Sequence, residues 1–484
     1  MPSKDSRPNI LFILTDDQGP WAMGCAGNDE IQTPNLDRLA ATGIRFDQYF
    51  CTSPVCSPAR ASLLTGRIPS QHGIHDWLAS GNSPLEPHKD GRLVEYLRGQ
   101  RGYTEDLAEA GYVCGLSGKW HLGNSPQPQK GFAFWEVHAQ GGGPYYNAPM
   151  IRNGQVYREP RYVTDAITEN ALEFLQQQLI SDQPFYLSVH YTAPHLPWGP
   201  EHHPKDLYDI YFNDCAFDSV PDGLSAPSWV RYRNLPVDDV KTRRTYLSGY
   251  YTAVELMDAN VGRLINWLEA NGLRENTLIV FTSDNGMCMG HHGLYGKGNA
   301  TFPLCMFEES VKVPFLVSQP GNIPQGLVCS NMVSHYDFRP TLLDYVGIGG
   351  GTSADLPGIS FIDALSGDFS PKREGVVVFE EYGPVHMFRT QQWKYVHRYP
   401  YGPHELYNLA DDPGETRNLI GDAGTREIER EMRQQLSLWF CQYVDPRRDG
   451  TREAVTGSGQ LGPCGPDADS YESFSQDRVR SLLP

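Results

Sequence analysis

Asn9-Ile10-Leu11-Phe12-Ile13-Leu14-Thr15-Asp16-Asp17 is a short, continuous apolar run that ends in two adjacent carboxylates. A run of this kind fits a strand buried on both faces, as in a parallel sheet. Two neighbouring carboxylates repel each other and need a cation or strong donors to share a site. On this segment alone a solvated acidic turn explains the pair equally well. Far along the chain Thr277-Leu278-Ile279-Val280-Phe281-Thr282 repeats the pattern and delivers Ser283-Asp284-Asn285-Gly286. In α/β sheets the site lies at the carboxyl ends of strands, so the repetition is informative. Asp16, Asp17, Asp284 and Asn285 offer only oxygen ligands, which suit calcium or magnesium rather than zinc.

Between these runs stands Cys51-Thr52-Ser53-Pro54-Val55-Cys56-Ser57-Pro58-Ala59-Arg60, continuing through Leu64-Thr65-Gly66. Cys56 falls where a loop becomes a helix. Pro58 suits a first helical turn, and Gly66 suits a stop. A cysteine there faces free backbone N–H groups and the positive end of the helix dipole. Arg60, one turn on, can fold back beside it. Taken alone, a buried cysteine at an ordinary helix start is the plainer reading.

The chain has 484 residues, enough for one large domain and a smaller one. With 39% hydrophobic and 11% aromatic residues it reads as soluble and globular. No apolar run approaches the roughly 20 residues that span a bilayer. Met1 to Arg7 leave no room for a signal peptide, so the chain as given reads as cytoplasmic, or periplasmic or secreted had a signal been trimmed. A net charge of −18 disfavours nucleic acid as a partner and repels a long polyanionic substrate. The ten cysteines are scattered without metal-type pair spacing and read as free.

Further along, Gly111-Tyr112 leads through a strand to Gly118-Lys119-Trp120-His121, with Lys119 and His121 on one side if extended geometry continues. Ile44 to Phe50 reads as one strand. Gln71-His72-Gly73-Ile74-His75-Asp76-Trp77 either lines a pocket or packs, and packing is commoner. Gly141-Gly142-Gly143-Pro144-Tyr145-Tyr146 reads as a connection. A strand from Pro184 to Val189 ends in His190-Tyr191-Thr192-Ala193-Pro194-His195-Leu196-Pro197. Residues 200 to 240 read as a long insertion with little periodicity, on the face where specificity would sit. Gly290-His291-His292-Gly293-Leu294-Tyr295-Gly296-Lys297 reads as a mobile loop carrying a lysine back to the strand edge. Gly375 to Glu380 reads as a strand, His386 to Thr390 and Trp393 to Arg398 as a hairpin, and Arg426 to Tyr443 as an amphipathic helix.

The Cys-x-Pro-x-Arg run with Leu64-Thr65-Gly66, and the Gly-Tyr and Gly-Lys-Trp-His run, resemble the signatures of type I sulfatases of the alkaline-phosphatase-like superfamily. Cys114 stands where a hydroxyl residue is more usual. Glu405-Leu406-Tyr407-Asn408-Leu409, Asp412-Pro413 and Asn418-Leu419 resemble the usual C-terminal part of that family. The resemblance implies an α/β fold with a large mixed, mostly parallel sheet sandwiched by helices, over residues 1–370. It implies a smaller α+β subdomain with an antiparallel sheet over 371–484.

The resemblance also implies sulfate ester hydrolysis, most readily on a carbohydrate. Cys56 would be oxidised to formylglycine by a formylglycine-generating or anaerobic sulfatase-maturating enzyme. Asp16, Asp17, Asp284, Asn285 and the oxidised residue 56 would hold calcium, with magnesium as second choice. The aldehyde hydrates to a gem-diol, whose attack on sulfur gives a covalent sulfoenzyme intermediate. Arg60 and the metal would acidify the attacking hydroxyl, Lys119, Lys297 and the ion would stabilise the charge on the sulfuryl oxygens, His195 would protonate the leaving oxygen, alone or with Lys297, and His121 would take a proton as sulfate is expelled. His75, Asp76, Trp77 and His292 are candidates for substrate contact. Rival functions are a phosphonate monoester or phosphodiester hydrolase with the same apparatus, a choline or aryl sulfatase, and an unmatured binding protein for a sulfated ligand. Among partners, neither nucleic acid nor membrane is expected.

Overall fold

The computed structural model describes residues 7–371, 378–468 and 472–475. Asn9–Thr15 lies at the centre of a ten-stranded sheet and is buried along its whole length. It runs parallel to Thr277–Ser283 on one side and to Phe185–His190 on the other. Val113–Lys119 and Phe134–His138 extend the parallel set. Thr15 sits opposite Ser283, Leu14 opposite His190 and Gly118 opposite His190, so four strands end at one level. Antiparallel pairings flank this core: Phe315–Ser318 and then Ile44–Phe46 on one side, Ala148–Arg152 and then Gln155–Glu159 on the other. Leu327–Cys329 closes the first side, parallel to Ile44–Phe46.

Side chains of a strand alternate between faces, and here each face has its own core. Ile10, Phe12 and Leu14 join one buried cluster, in which Phe12 packs on Phe338 of the helix His335–Tyr345 with ring centroids 5.1 Å apart. Leu11 and Ile13 join the other, with Phe174 of Val163–Gln178 and Val254 and Val261 of Val240–Ala270. Complete burial of side chains this size contributes about 1.5–3 kcal/mol each. Among the described residues no helix is long and apolar enough to cross a membrane.

A second, antiparallel sheet is built from Val378–Tyr382, Val385–Arg389, Trp393–Arg398 and Glu405–Asn408, with the hairpin where the alternation placed it. The helix Arg426–Tyr443 sets Met432 and Leu436 on Phe388, Tyr395 and Leu406. The opposite face, through Met387 and Val396, belongs to the cluster that holds Leu14. The antiparallel sheet is thus cored against the large one.

Three segments depart from the sequence reading. The stretch Ile44 to Phe50 breaks in two, and Tyr49–Phe50 pairs with Val333–Ser334 outside the large sheet. The 200–240 insertion contains a helix, Lys205–Asp214, whose Tyr208 and Tyr211 are buried. The loop before Lys297 is a small hairpin pinned by pairing of Cys288–Met289 with Tyr295–Gly296. Residues 375–377 of the expected strand at Gly375 lie outside the described residues.

The C-terminal tail returns to the centre of the molecule. Gln460 pairs with the 73–79 segment: its N donates to Trp77 O at 2.8 Å, and its O accepts from Ala79 N at 2.9 Å. Its side chain accepts from His75 N at 2.8 Å and donates to Gly73 O at 3.0 Å. Gln460→Ala strands these buried groups and should destabilise the fold by about 2 kcal/mol or more. A lowered denaturant midpoint, with earlier proteolysis after residue 450, is the expected result. An unchanged midpoint would contradict the anchoring role.

Candidate active site

The strand ends bring six charged groups into contact. Asp16, Asp17 and Asp284 each offer an oxygen to a cluster whose atoms lie within 4.8 Å of one another, and all three are buried. Three cations face them. Lys119 Nζ lies 2.5 Å from Asp16 Oδ2, Arg60 Nε lies 2.8 Å from Asp284 Oδ2, and Lys297 pairs with Asp17. Burial pushes the Asp284 pKa up, but the Arg60, Lys119 and Lys297 charges overcome it and hold the group well below the carboxylate range. Burial likewise opposes Asp17, and Lys297 wins. For Asp16, burial and the Asp284 charge prevail over Lys119, and its pKa rises. A further cation among these oxygens would favour its ionised form.

Local sequence explains each placement. The helix Cys56–Thr65 begins at Cys56 and ends at Gly66, whose φ of 72° fits the left-handed stop. Cys56 Sγ lies 3.4 Å from Asp16 Oδ1 and 2.7 Å from Lys297 Nζ. Burial, then the Asp16 charge, raises the thiol to about 12, so it is not a ready thiolate at neutral pH. Arg60 donates to Lys119 O at 3.1 Å, tying this helix to the neighbouring strand end. Gly118, at φ 108°, leaves room for that turn, since a Cβ there would stand 1.9 Å from His190 O. His190 is bonded to Lys119 O at 3.0 Å and acts as a buttress.

The chain does not stay extended after Lys119. His121 has φ 54°, and Lys119 is buried in the cluster while His121 lines the cavity above it. His121 Nε2 faces Leu78 O at 3.0 Å, so that nitrogen carries the hydrogen and Nδ1 keeps a free lone pair. Burial, then the Lys119 charge, holds this imidazole neutral. His195 Nδ1 faces Leu196 O at 2.8 Å, and its Nε2 lies 3.6 Å from Asp17 Oδ2.

A cavity of about 570 Å³ opens over Cys56, Asp17 and Lys297, a size suited to a small molecule. Trp77 is on its wall. His75 and Asp76 are not: both are fully buried off that wall. Asp76 accepts from Tyr382 Oη at 2.7 Å and from Gly459 N at 3.0 Å, joining the second sheet to the tail. His292 is also displaced, stacked on Phe307 at 3.8 Å and bonded to Glu309 at 2.8 Å. The hairpin that delivers Lys297 turns His292 away from the cavity. Substrate contact through these three is therefore corrected to a structural role. Sequence reasoning missed Glu86, Asn234, Asn299 and Ser458 on the wall. No local pattern marks them, because four distant segments converge there.

The oxygen set fits a hard divalent ion. Asn285 donates its amide N–H to Asp17 Oδ1 at 2.9 Å, while its own Oδ1 is buried with no hydrogen-bond partner among the described residues. A buried, unpartnered carbonyl beside three carboxylates is what such an ion would satisfy.

Residues 8–348 match the sulfatase family, and residues 290–440 match the C-terminal family described as N-sulphoglucosamine sulphohydrolase, C-terminal. The chain is 29% identical to an N-acetylglucosamine-6-O-sulfatase of Bacteroides thetaiotaomicron, over 91% of this chain and 87% of that one. It is 30% identical to a choline-sulfatase of Rhizobium meliloti, over 88% and 86%. A solved structure described as a complex with its substrate D-glucosamine-2-N,6-O-disulfate superposes with a TM-score of 0.73 at 27% identity, covering 92% of this chain and 99% of that one. With the family matched over most of its length, and its signature residues gathered at one buried centre, the chain belongs to the sulfatase family, the hydrolases of sulfate esters.

Proposed function

We propose that the protein removes a sulfate ester from a carbohydrate, with residue 56 as nucleophile after oxidation to formylglycine. The observation that carries the reading is Cys56 itself, at a helix start between Lys297 and Asp16 and at the floor of the cavity. The sugar preference is supported by the substrates named for the Bacteroides relative and the solved complex. Formylglycine would come from a maturating enzyme. Once hydrated it supplies one hydroxyl to attack sulfur and a second that permits release of sulfate by elimination. Asp16, Asp17, Asp284 and Asn285 Oδ1 would hold calcium, which supplies Lewis acidity toward the sulfuryl oxygens.

The chain's own residues do the rest. Lys297 and Lys119 carry positive charge at the floor, both buried, where charge is worth far more than in water. Arg60, held by Asp284 and Lys119 O, fixes the nucleophile helix against the strand ends. His121, neutral with a free Nδ1, is set to accept a proton. His195 holds its Nδ1 hydrogen on Leu196 O and turns Nε2 to the centre, where it can give a proton to the departing alcohol.

Two outcomes test this. Cys56→Ser keeps a hydroxyl but cannot eliminate sulfate, so turnover of N-acetylglucosamine 6-sulfate should be lost; a variant keeping most of the activity would contradict the reading. Chelation should lower activity and calcium should restore it, with no effect of chelator contradicting the assignment of the oxygen cluster. The acid role of His195 has its own signature. His195→Ala should cost ~10²–10⁴-fold in kcat on an alkyl sulfate. It should cost much less on 4-nitrophenyl sulfate, whose leaving group needs no proton. Equal losses on the two substrates would remove His195 from that role.

A further inference from the structure

Charge is unevenly spread over the cavity. The buried cations are committed to its floor: Arg60 to Asp284, Lys119 to Asp16, and Lys297 to Asp17 and Cys56. Among the described residues of the wall, Lys297 is the only lysine or arginine. Away from the carboxylate cluster the wall carries one acidic side chain, Glu86.

Glu86 is held in place. Its Oε1 accepts from Gln140 Nε2 at 2.8 Å and its Oε2 from Asn82 Nδ2 at 3.2 Å. Its backbone N donates to Ser83 O at 2.9 Å. Both side-chain donors are neutral amides, which orient the carboxylate without cancelling its charge. Gln140 leads directly into Gly141 and Gly142, which press on the two histidines of the centre. A Cβ at Gly141 would lie 2.2 Å from His121 Cε1, and one at Gly142 would lie 2.8 Å from His195 Cε1. The segment that lies against the proton-transfer groups therefore also holds Glu86. The wall of the same cavity also carries Trp77 and the small polar groups Asn299 and Ser458.

We infer that Glu86 is a specificity-determining residue that selects sulfate esters whose alcohol part is neutral or cationic and turns away those with a second anionic group. The inference rests on the sulfatase reading. A carboxylate with spare lone pairs accepts hydrogen bonds from sugar hydroxyls or from an ammonium group. A second sulfate or a carboxylate on the substrate would find, among the described residues, no lysine or arginine on this wall beyond Lys297, which Asp17 and Cys56 already engage. It would meet Glu86 in a half-buried setting that screens charge poorly. The net charge of −18 acts in the same direction on any polyanion.

The test uses the matured enzyme and three phenyl sulfates with similar leaving groups: 4-(hydroxymethyl)phenyl, 4-(aminomethyl)phenyl and 4-(carboxymethyl)phenyl sulfate. Released inorganic sulfate gives kcat/KM. The carboxylate compound should be at least ~10-fold poorer than the other two, the order of effect expected of one poorly screened like charge. Glu86→Gln should bring the three near parity, and Glu86→Asp, which keeps the charge, should retain the discrimination. Equal kcat/KM for all three in the unaltered enzyme, or undiminished discrimination in Glu86→Gln, overturns the inference. Release of sulfate from none of them overturns the sulfatase reading beneath it.

Discussion

Three buried carboxylates set against three buried cations, at the level where four parallel strands end, are the constraint on which this structure depends. None of these charges is stable there alone. Removing one partner of a buried pair leaves an uncompensated charge, at a cost of about 3–5 kcal/mol. The pairs also link separate elements: Arg60 brings the Cys56 helix, Asp284 one strand end, Asp16 another, and Lys119 a third. Electrostatics thus fixes the floor of the cavity together with packing, and places Cys56 between Lys297 and Asp16.

The same arrangement explains why the site is built from residues so far apart in sequence. Parallel strands need crossovers, so neighbours in the sheet are distant in the chain. Asp16 and Asp284 meet because Thr15 and Ser283 are in register. The walls come from still further away. The tail at Gly457 and Ser458 reaches the cavity because Gln460 pairs with the 73–79 segment and Asp76 binds Gly459 N. The second sheet reinforces this contact: Glu381 N donates to Thr52 O at 2.9 Å, just ahead of the nucleophile.

What the sequence disclosed, and what it hid, follows from locality. Asp16-Asp17 and Asp284-Asn285 were legible because each follows a short apolar run that fits a buried strand, and the pattern occurs twice. Cys56 and Arg60 share one helix turn, and Lys119 terminates a strand, so short motifs carry them. His75, Asp76 and His292 were misread for the opposite reason. Their partners, Gln460, Gly459 and Tyr382 in one case and Phe307 and Glu309 in the other, lie in segments that no local pattern connects. Glu86 stood in an unremarked loop, and only its meeting with Gln140 reveals it. The break of 44–50 into two strands and the helix at 205–214 were hidden by tertiary pairing and by aromatic burial in a stretch of weak periodicity.

The whole account turns on the chemical state of residue 56. Cys56 stands between Lys297 and Asp16, where an oxidised side chain would meet the oxygen cluster. The most direct measurement is the mass of the peptide containing residue 56, taken from enzyme that turns over a sulfate ester. Replacement of the cysteine sulfur by an aldehyde oxygen is the predicted result. An unmodified thiol in fully active protein would contradict the account and require a different nucleophile.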